Sequence, residues 1–303
     1  MWGWLWLLLP VAAASGWWVA RSDILRRGTR SDFSLSSHYF KGLNYRLNEQ
    51  PDKAIEVFIR VLEVDNDTVE THLALGNLFR RRGETERAIL IHQNLIARQT
   101  LSRVQRTQAL LELGQDYMRA GLLDRAESLF QELLELDDHV VPALRQLVDI
   151  YQQEKDWDKA IATTHRLAAA TGQRVHHVLA QYCCELAEQA RADGDTARAT
   201  RMIEQALKED VSCVRASLLQ GELAMEAGNY TAAIGAYKRV EQQDADYLSE
   251  VLEPLTVCCN AIDQREALID YLQQAYARHG GVTLMLVLAA LLRHSPARLA
   301  GSV

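Results

Sequence analysis

The chain has 303 residues, 48% of them hydrophobic, only 5 Pro, and a net charge of −7. That length and apolar content supply a large core and exclude extensive disorder. Four arginines against one aspartate give residues 21–30 a charge of +3 and leave −10 for residues 31–303, an acidic body unsuited to nucleic acid.

Residues 1–20, MWGWLWLLLPVAAASGWWVA, contain no charged side chain. As a helix they span about 30 Å, the thickness of a bilayer's hydrocarbon core. Trp2, Trp4 and Trp6 stand at one end, Trp17 and Trp18 at the other, the headgroup levels that such rings prefer. Pro10 falls mid-span, where membrane helices tolerate proline. Arg21, Arg26, Arg27 and Arg30 follow the span, and positive charge stays on the cytoplasmic side. A cleaved signal peptide, which VAAASG would permit, carries its positive charge before the apolar run rather than after it. A buried core helix would not hold tryptophans at both ends beside an arginine cluster. The expectation is a single-pass anchor over 1–20 and a basic juxtamembrane linker over 21–34. Trp2, Trp4, Trp6, Trp17, Trp18, Arg21, Arg26 and Arg27 would lie at the membrane interface, with the rest of the chain in the cytoplasm.

From residue 35 onward the chain repeats itself. Alanines recur at Ala54, Ala88, Ala126, Ala160, Ala199, Ala233 and Ala267, in steps of 34, 38, 34, 39, 34 and 34. Twelve residues before each stand Gly42, Gly76, Gly114, Val148, Ala187, Gly221 and Leu255. Four residues after each stand Phe58, His92, Phe130, Thr164, Ile203, Tyr237 and Tyr271. Turn-like stretches such as RRRGETERA and EAGNYTAA precede the alanines. Each unit is therefore predicted to be two antiparallel helices, A and B, with the small residue of A meeting the alanine of B where the axes cross. Val148 and Leu255 predict locally wider packing. The extra residues near 100–106 and 171–179 lengthen helices or the loops between units. One such hairpin cannot cover its own apolar face, so the units stack. A coiled coil would not reset at turn residues every 34 positions. Seven units fill 35–281. Residues 282–303 make an incomplete eighth, with Gly301 where the frame expects alanine, so the last helix lacks a capping partner unless the natural chain continues.

Catalytic and cofactor motifs are absent from the sequence: no Gly-rich phosphate loop, no His-Glu-x-x-His, no Gly-x-Ser-x-Gly and no Cys-x-x-Cys. The five cysteines, Cys183, Cys184, Cys213, Cys258 and Cys259, suit a reducing compartment and read as buried apolar filler. Adjacent His176 and His177 lack the i, i+4 spacing of a helical metal site and read as surface residues. Arg80, Arg81 and Arg82 close a helix A, where cations complement the helix dipole.

The frame in LALGNLFRRRGETERAI resembles the tetratricopeptide repeat, which implies an all-α chain: an N-terminal transmembrane helix followed by an α-solenoid. In such repeats helix A lines the concave face. That resemblance places Tyr39, Leu43, Arg46, Leu73, Asn77, Arg80, Leu111, Gln115 and Arg119 on it, with arginines suited to an acidic partner segment. Tyr39 and Leu43 stand where chaperone-tail clamps carry Lys and Asn, which disfavours that subtype. On this reading Arg80→Glu tests the groove.

The anchor LLLPVAAASGW together with THLALGNLFRRRGETERAI and LGQDYMRAGLLDRAE resembles the lipopolysaccharide assembly protein B family of Gram-negative inner membranes. The resemblance implies a non-enzymatic adaptor that presents the lipid A deacetylase LpxC to the protease FtsH and contacts other inner-membrane lipopolysaccharide-assembly proteins. A scaffold without a proteolytic role is the alternative, and homo-oligomerisation stays open. Family members also carry iron or another metal on a C-terminal rubredoxin-like module with two Cys-x-x-Cys pairs. Nothing in this sequence matches that module, so no cofactor is expected in this chain.

Overall fold

The computed structural model describes residues 53, 55–59 and 68–293. Residues 55–59 are helical. Beyond them run thirteen α-helices: α1 (Val69–Arg82), α2 (Thr85–Ile96), α3 (Arg103–Arg119), α4 (Leu123–Glu135), α5 (Val140–Glu154), α6 (Trp157–Thr171), α7 (His176–Ala192), α8 (Thr196–Glu209), α9 (Val214–Glu226), α10 (Tyr230–Gln243), α11 (Leu248–Ala261), α12 (Arg265–His279) and α13 (Val282–Arg293). A 3-10 turn, Ala245–Tyr247, precedes α11. No strand occurs among the described residues. The insertions lengthen helices: α3 and α7, each the first helix of its hairpin, have 17 residues.

Each hairpin turns in the same way. Gly83, Gly121, Lys155, Gly194, Gly228 and Asp263 all take positive φ, between 50° and 90°. The amide of each reaches back three residues, as in Gly83 N–H to the Arg80 carbonyl and Asp263 N–H to the Asn260 carbonyl. The next amide closes a wider ring, as in Glu84 to Phe79 and Gln264 to Cys259. Asp156, Asp195 and Asn229 then cap the following helix with their side chains.

Five residues after each positive-φ position lies a buried residue: Ala88, Ala126, Ala160, Ala199, Ala233 and, in the last hairpin, Leu268. The expected Ala267 is exposed. The frame there slips by one residue, because the left-handed turn is made by Asp263 and α12 starts at Arg265. Leu268 and Leu272 are buried in place of Ala267 and Tyr271.

The small residue of helix A has a second partner that the pattern alone does not disclose. A Cβ added at Gly76 would stand 2.4 Å from His92 Nε2, one at Gly114 2.6 Å from Phe130 Cε1, and one at Gly221 2.4 Å from Tyr237 Cε1. Each glycine is covered by the ring 16 residues later, on helix B of its own hairpin. At two of the positions without glycine the residue 16 later is smaller: Thr164 follows Val148 and Ile203 follows Ala187. In those two hairpins the summed volume of the pair stays close to that of glycine and a ring.

The chain falls into two compact units, one ending at Gln146 and the next starting at Leu147. In the first, α1 packs on α2, α3 on α4, and α3 also on α1 and α2. Its core includes Phe58, Leu75, Leu78 and Phe79, with Phe130 and Leu133 fully buried. In the second, α7 pairs with α8, α9 with α10 and α12 with α13. Its largest core cluster gathers Tyr237, Val251, Leu255, Leu268 and Leu272. In α13, Leu284 and Leu291 are buried while Val282, Met285 and Leu286 are exposed. No helix among the described residues is long and apolar enough to cross a membrane. Residues 1–20, 21–34 and 294–303, on which the anchor, linker and chain-end expectations rest, lie outside the described residues.

Candidate partner-binding site

Of the groove residues expected from sequence, Tyr39, Leu43 and Arg46 lie outside the described residues, as do the membrane-interface residues Trp2, Trp4, Trp6, Trp17, Trp18, Arg21, Arg26 and Arg27. The others belong to α1 and α3 of the first unit. Leu111 is buried, 7% exposed, and presents nothing to a partner. Leu73 is half-buried against Val69, Leu95 and Ala109.

Arg80 is committed internally. Its Nη1 donates to the Glu112 carbonyl at 3.0 Å and to Asp116 Oδ1 at 2.7 Å. Its Nη2 donates to Asn77 Oδ1 at 2.7 Å, Glu112 Oε2 at 2.6 Å and Gln115 Oε1 at 3.0 Å. The guanidinium therefore ties α1 to α3 and is not a free groove cation, so Arg80→Glu does not test the groove. Asp116 is fully buried, and its second oxygen, Oδ2, accepts from His92 Nδ1 at 2.5 Å. That hydrogen bond fixes the tautomer of the ring that covers Gly76. A buried carboxylate requires partners, and this one has a guanidinium on one side and an imidazole on the other. The signal available in the sequence is Asp116 itself, a charge between the core residues Gly114 and Tyr117.

Beside this network, and sharing Arg80 and Gln115 with it, lies an open cleft of about 530 Å³, lined also by Arg81, Met118 and Arg119. Arg81 and Arg119 are exposed and form no ion pair with another described residue, whereas Arg82 and Arg87 both meet Glu84. Both helix ends carry the negative end of the backbone dipole, which holds the arginines without consuming their donors. The cleft can bind a carboxylate through either guanidinium while Met118 takes apolar contact.

Elsewhere, His176 and His177 are exposed and meet Glu209 and Asp210 at 3.0 and 3.1 Å. The five cysteines are buried and unbridged. They do not make the paired Cys-x-x-Cys donor set of a metal module, and no cluster of metal-binding side chains occurs among the described residues. Among these, Cys184 and Cys213 face each other at 3.9 Å, a juxtaposition that sequence reading missed because they lie 29 positions apart.

Repeated hairpins and a cleft formed by the ends of successive helices A define a tetratricopeptide-repeat interaction protein. Family profiles described as tetratricopeptide repeat match residues 35–68, 71–104, 117–182 and 184–247. Over 288 residues, 95% of this chain and 74% of the relative, the sequence is 39% identical to "Lipopolysaccharide assembly protein B" of Escherichia coli strain K12. Over 269 residues, 86% of this chain and 67% of the relative, it is 37% identical to the protein of the same name from Haemophilus influenzae. The chain belongs to the lipopolysaccharide assembly protein B family. Among solved structures, a tetratricopeptide repeat protein of Parabacteroides merdae is similar with a TM-score of 0.44 at 14% identity, covering 86% of this chain and 99% of that one.

Proposed function

We propose that this chain is a membrane-anchored, non-enzymatic adaptor of lipopolysaccharide assembly that holds the deacetylase LpxC for the FtsH protease. The role in lipopolysaccharide assembly is drawn from the names of its relatives. The geometric observation that carries the adaptor reading is the cleft, where Arg81 and Arg119 stand exposed beside Met118, with no ion pair among the described residues. Such a surface suits an acidic partner segment, and charge complementarity speeds its docking. The uncharged residues 1–20 would anchor the repeats at the inner membrane and raise the effective concentration of whatever the cleft holds beside a membrane protease.

A photo-crosslinking residue at position 118 of the full chain, in cells, tests the reading. Adducts with LpxC and with FtsH are expected. Adducts confined to lipopolysaccharide-transport proteins would replace it with a scaffold that has no proteolytic role.

A further inference from the structure

Cys184 lies in the middle of α7, and Cys213 is the N-cap residue of α9. Their sulfurs stand 3.9 Å apart, close enough for one thiol to donate to the other. The two side chains are 0% and 2% exposed and belong to one tightly packed cluster with Cys183, Ala187 and Ile203. Gln181 Nε2 donates to Cys213 Sγ at 3.7 Å. No other pair of sulfurs among the described residues makes such a contact.

The environment splits the two thiols into different roles. The hydrogen bond with Cys184, opposed by burial, holds the Cys213 pKa below the usual thiol range, and Cys213 stands at the N-terminus of α9, where the helix dipole favours a thiolate. Cys184, its partner in mid-helix, is pushed upward by the bond and by burial, with Arg215 opposing. Position separates their roles: the sulfur at the N-terminus of α9 is placed as the nucleophile and the mid-helix sulfur of α7 as its resolving partner.

We propose that Cys184 and Cys213 are a redox-active dithiol that a peroxide-class oxidant closes into a disulfide, fastening α7 to the N-terminal end of α9. The Cys213 thiolate attacks a peroxide oxygen; the O–O bond breaks, and sulfenic acid and hydroxide form. The Cys184 sulfur then attacks the Cys213 sulfur. The S–S bond forms, the S–O bond breaks, and the displaced hydroxide leaves as water with the Cys184 proton. Two electrons pass from the sulfurs to the peroxide. Cys213 directly follows the turn at 210–212, where Val211 is 73% exposed, and local opening of that turn is the route by which the oxidant would reach it.

The test treats the folded full chain with hydrogen peroxide, then alkylates it in denaturant and maps peptides by mass spectrometry. Free thiols should fall from the five of the reduced chain by two, with the loss of two hydrogens, one cross-linked peptide joining Cys184 to Cys213, and full reversal by dithiothreitol. Cys183→Ser should keep that cross-link. Cys184→Ser should abolish it and leave a sulfenic acid on Cys213 that dimedone traps. If the variants fail to fold, the wild-type peptide map decides. Retention of all thiols, or cross-links of comparable yield that involve Cys183, Cys258 or Cys259, would overturn the assignment.

Discussion

Arg80 shows how a residue's neighbours decide its role. Read alone, an arginine at the end of a helix A belongs to a groove. In the fold it makes five hydrogen bonds, and two of its acceptors are the carboxylates of Glu112 and Asp116 on the next hairpin. Those carboxylates lie 32 and 36 residues away, so the pairing follows from stacking rather than from local pattern. Removing the guanidinium leaves the fully buried Asp116 carboxylate without its cation, held by His92. Arg80→Ala should therefore cost about 3–5 kcal/mol, the usual penalty for breaking a buried pair. Chemical denaturation measures this, and a loss below about 1 kcal/mol, the size of a surface pair, would contradict the network. Exposed Arg81 and Arg119 have no such duty. Their substitution by Glu should cost no more than about 1 kcal/mol each, the size of a reversed charge at a helix C-terminus, which is what makes them the clean probes of binding.

Between elements, the recurring decision is how closely helix A approaches helix B. The glycines at 76, 114 and 221 allow it, and the rings of His92, Phe130 and Tyr237 take up the space they release. Gly221→Ala puts a carbon 2.4 Å from the Tyr237 ring, so it should cost about 1–3 kcal/mol through overpacking. Adding Tyr237→Ile should recover part of that loss, because the Ala187 and Ile203 register already uses the smaller pair. A double-mutant cycle on unfolding free energies checks the coupling; purely additive losses would show that glycine and ring do not share one space. Much of this layer was legible in the chain. The 34-residue frame located the hairpins, and the two insertions fell in the first helices of their hairpins, α3 and α7, as lengthening. The last hairpin was not legible. Asp263 takes the left-handed turn that glycine takes in most of the others, and Ala267 happens to fit the count while Leu268 is the residue that packs. Sequence spacing cannot register one extra residue ahead of a turn when the turn's marker glycine is absent. The contact of Cys184 with Cys213 was hidden for the same reason that Arg80's partners were: both are meetings between successive units.

At the scale of the whole molecule, the chain's kinship and its cleft converge on one activity, the holding of a partner polypeptide in lipopolysaccharide assembly. On the proposed adaptor reading, proximity to a membrane protease adds to affinity, and the uncharged residues 1–20 are suited to supply it. The most direct test follows the half-life of LpxC in cells depleted of this protein and complemented with either the parent chain or the Arg81→Glu, Arg119→Glu double variant. Depletion should lengthen the half-life, the parent should restore rapid turnover, and the double variant, present at the parent's level, should not. Turnover that ignores depletion, or that the double variant restores in full, would contradict the account.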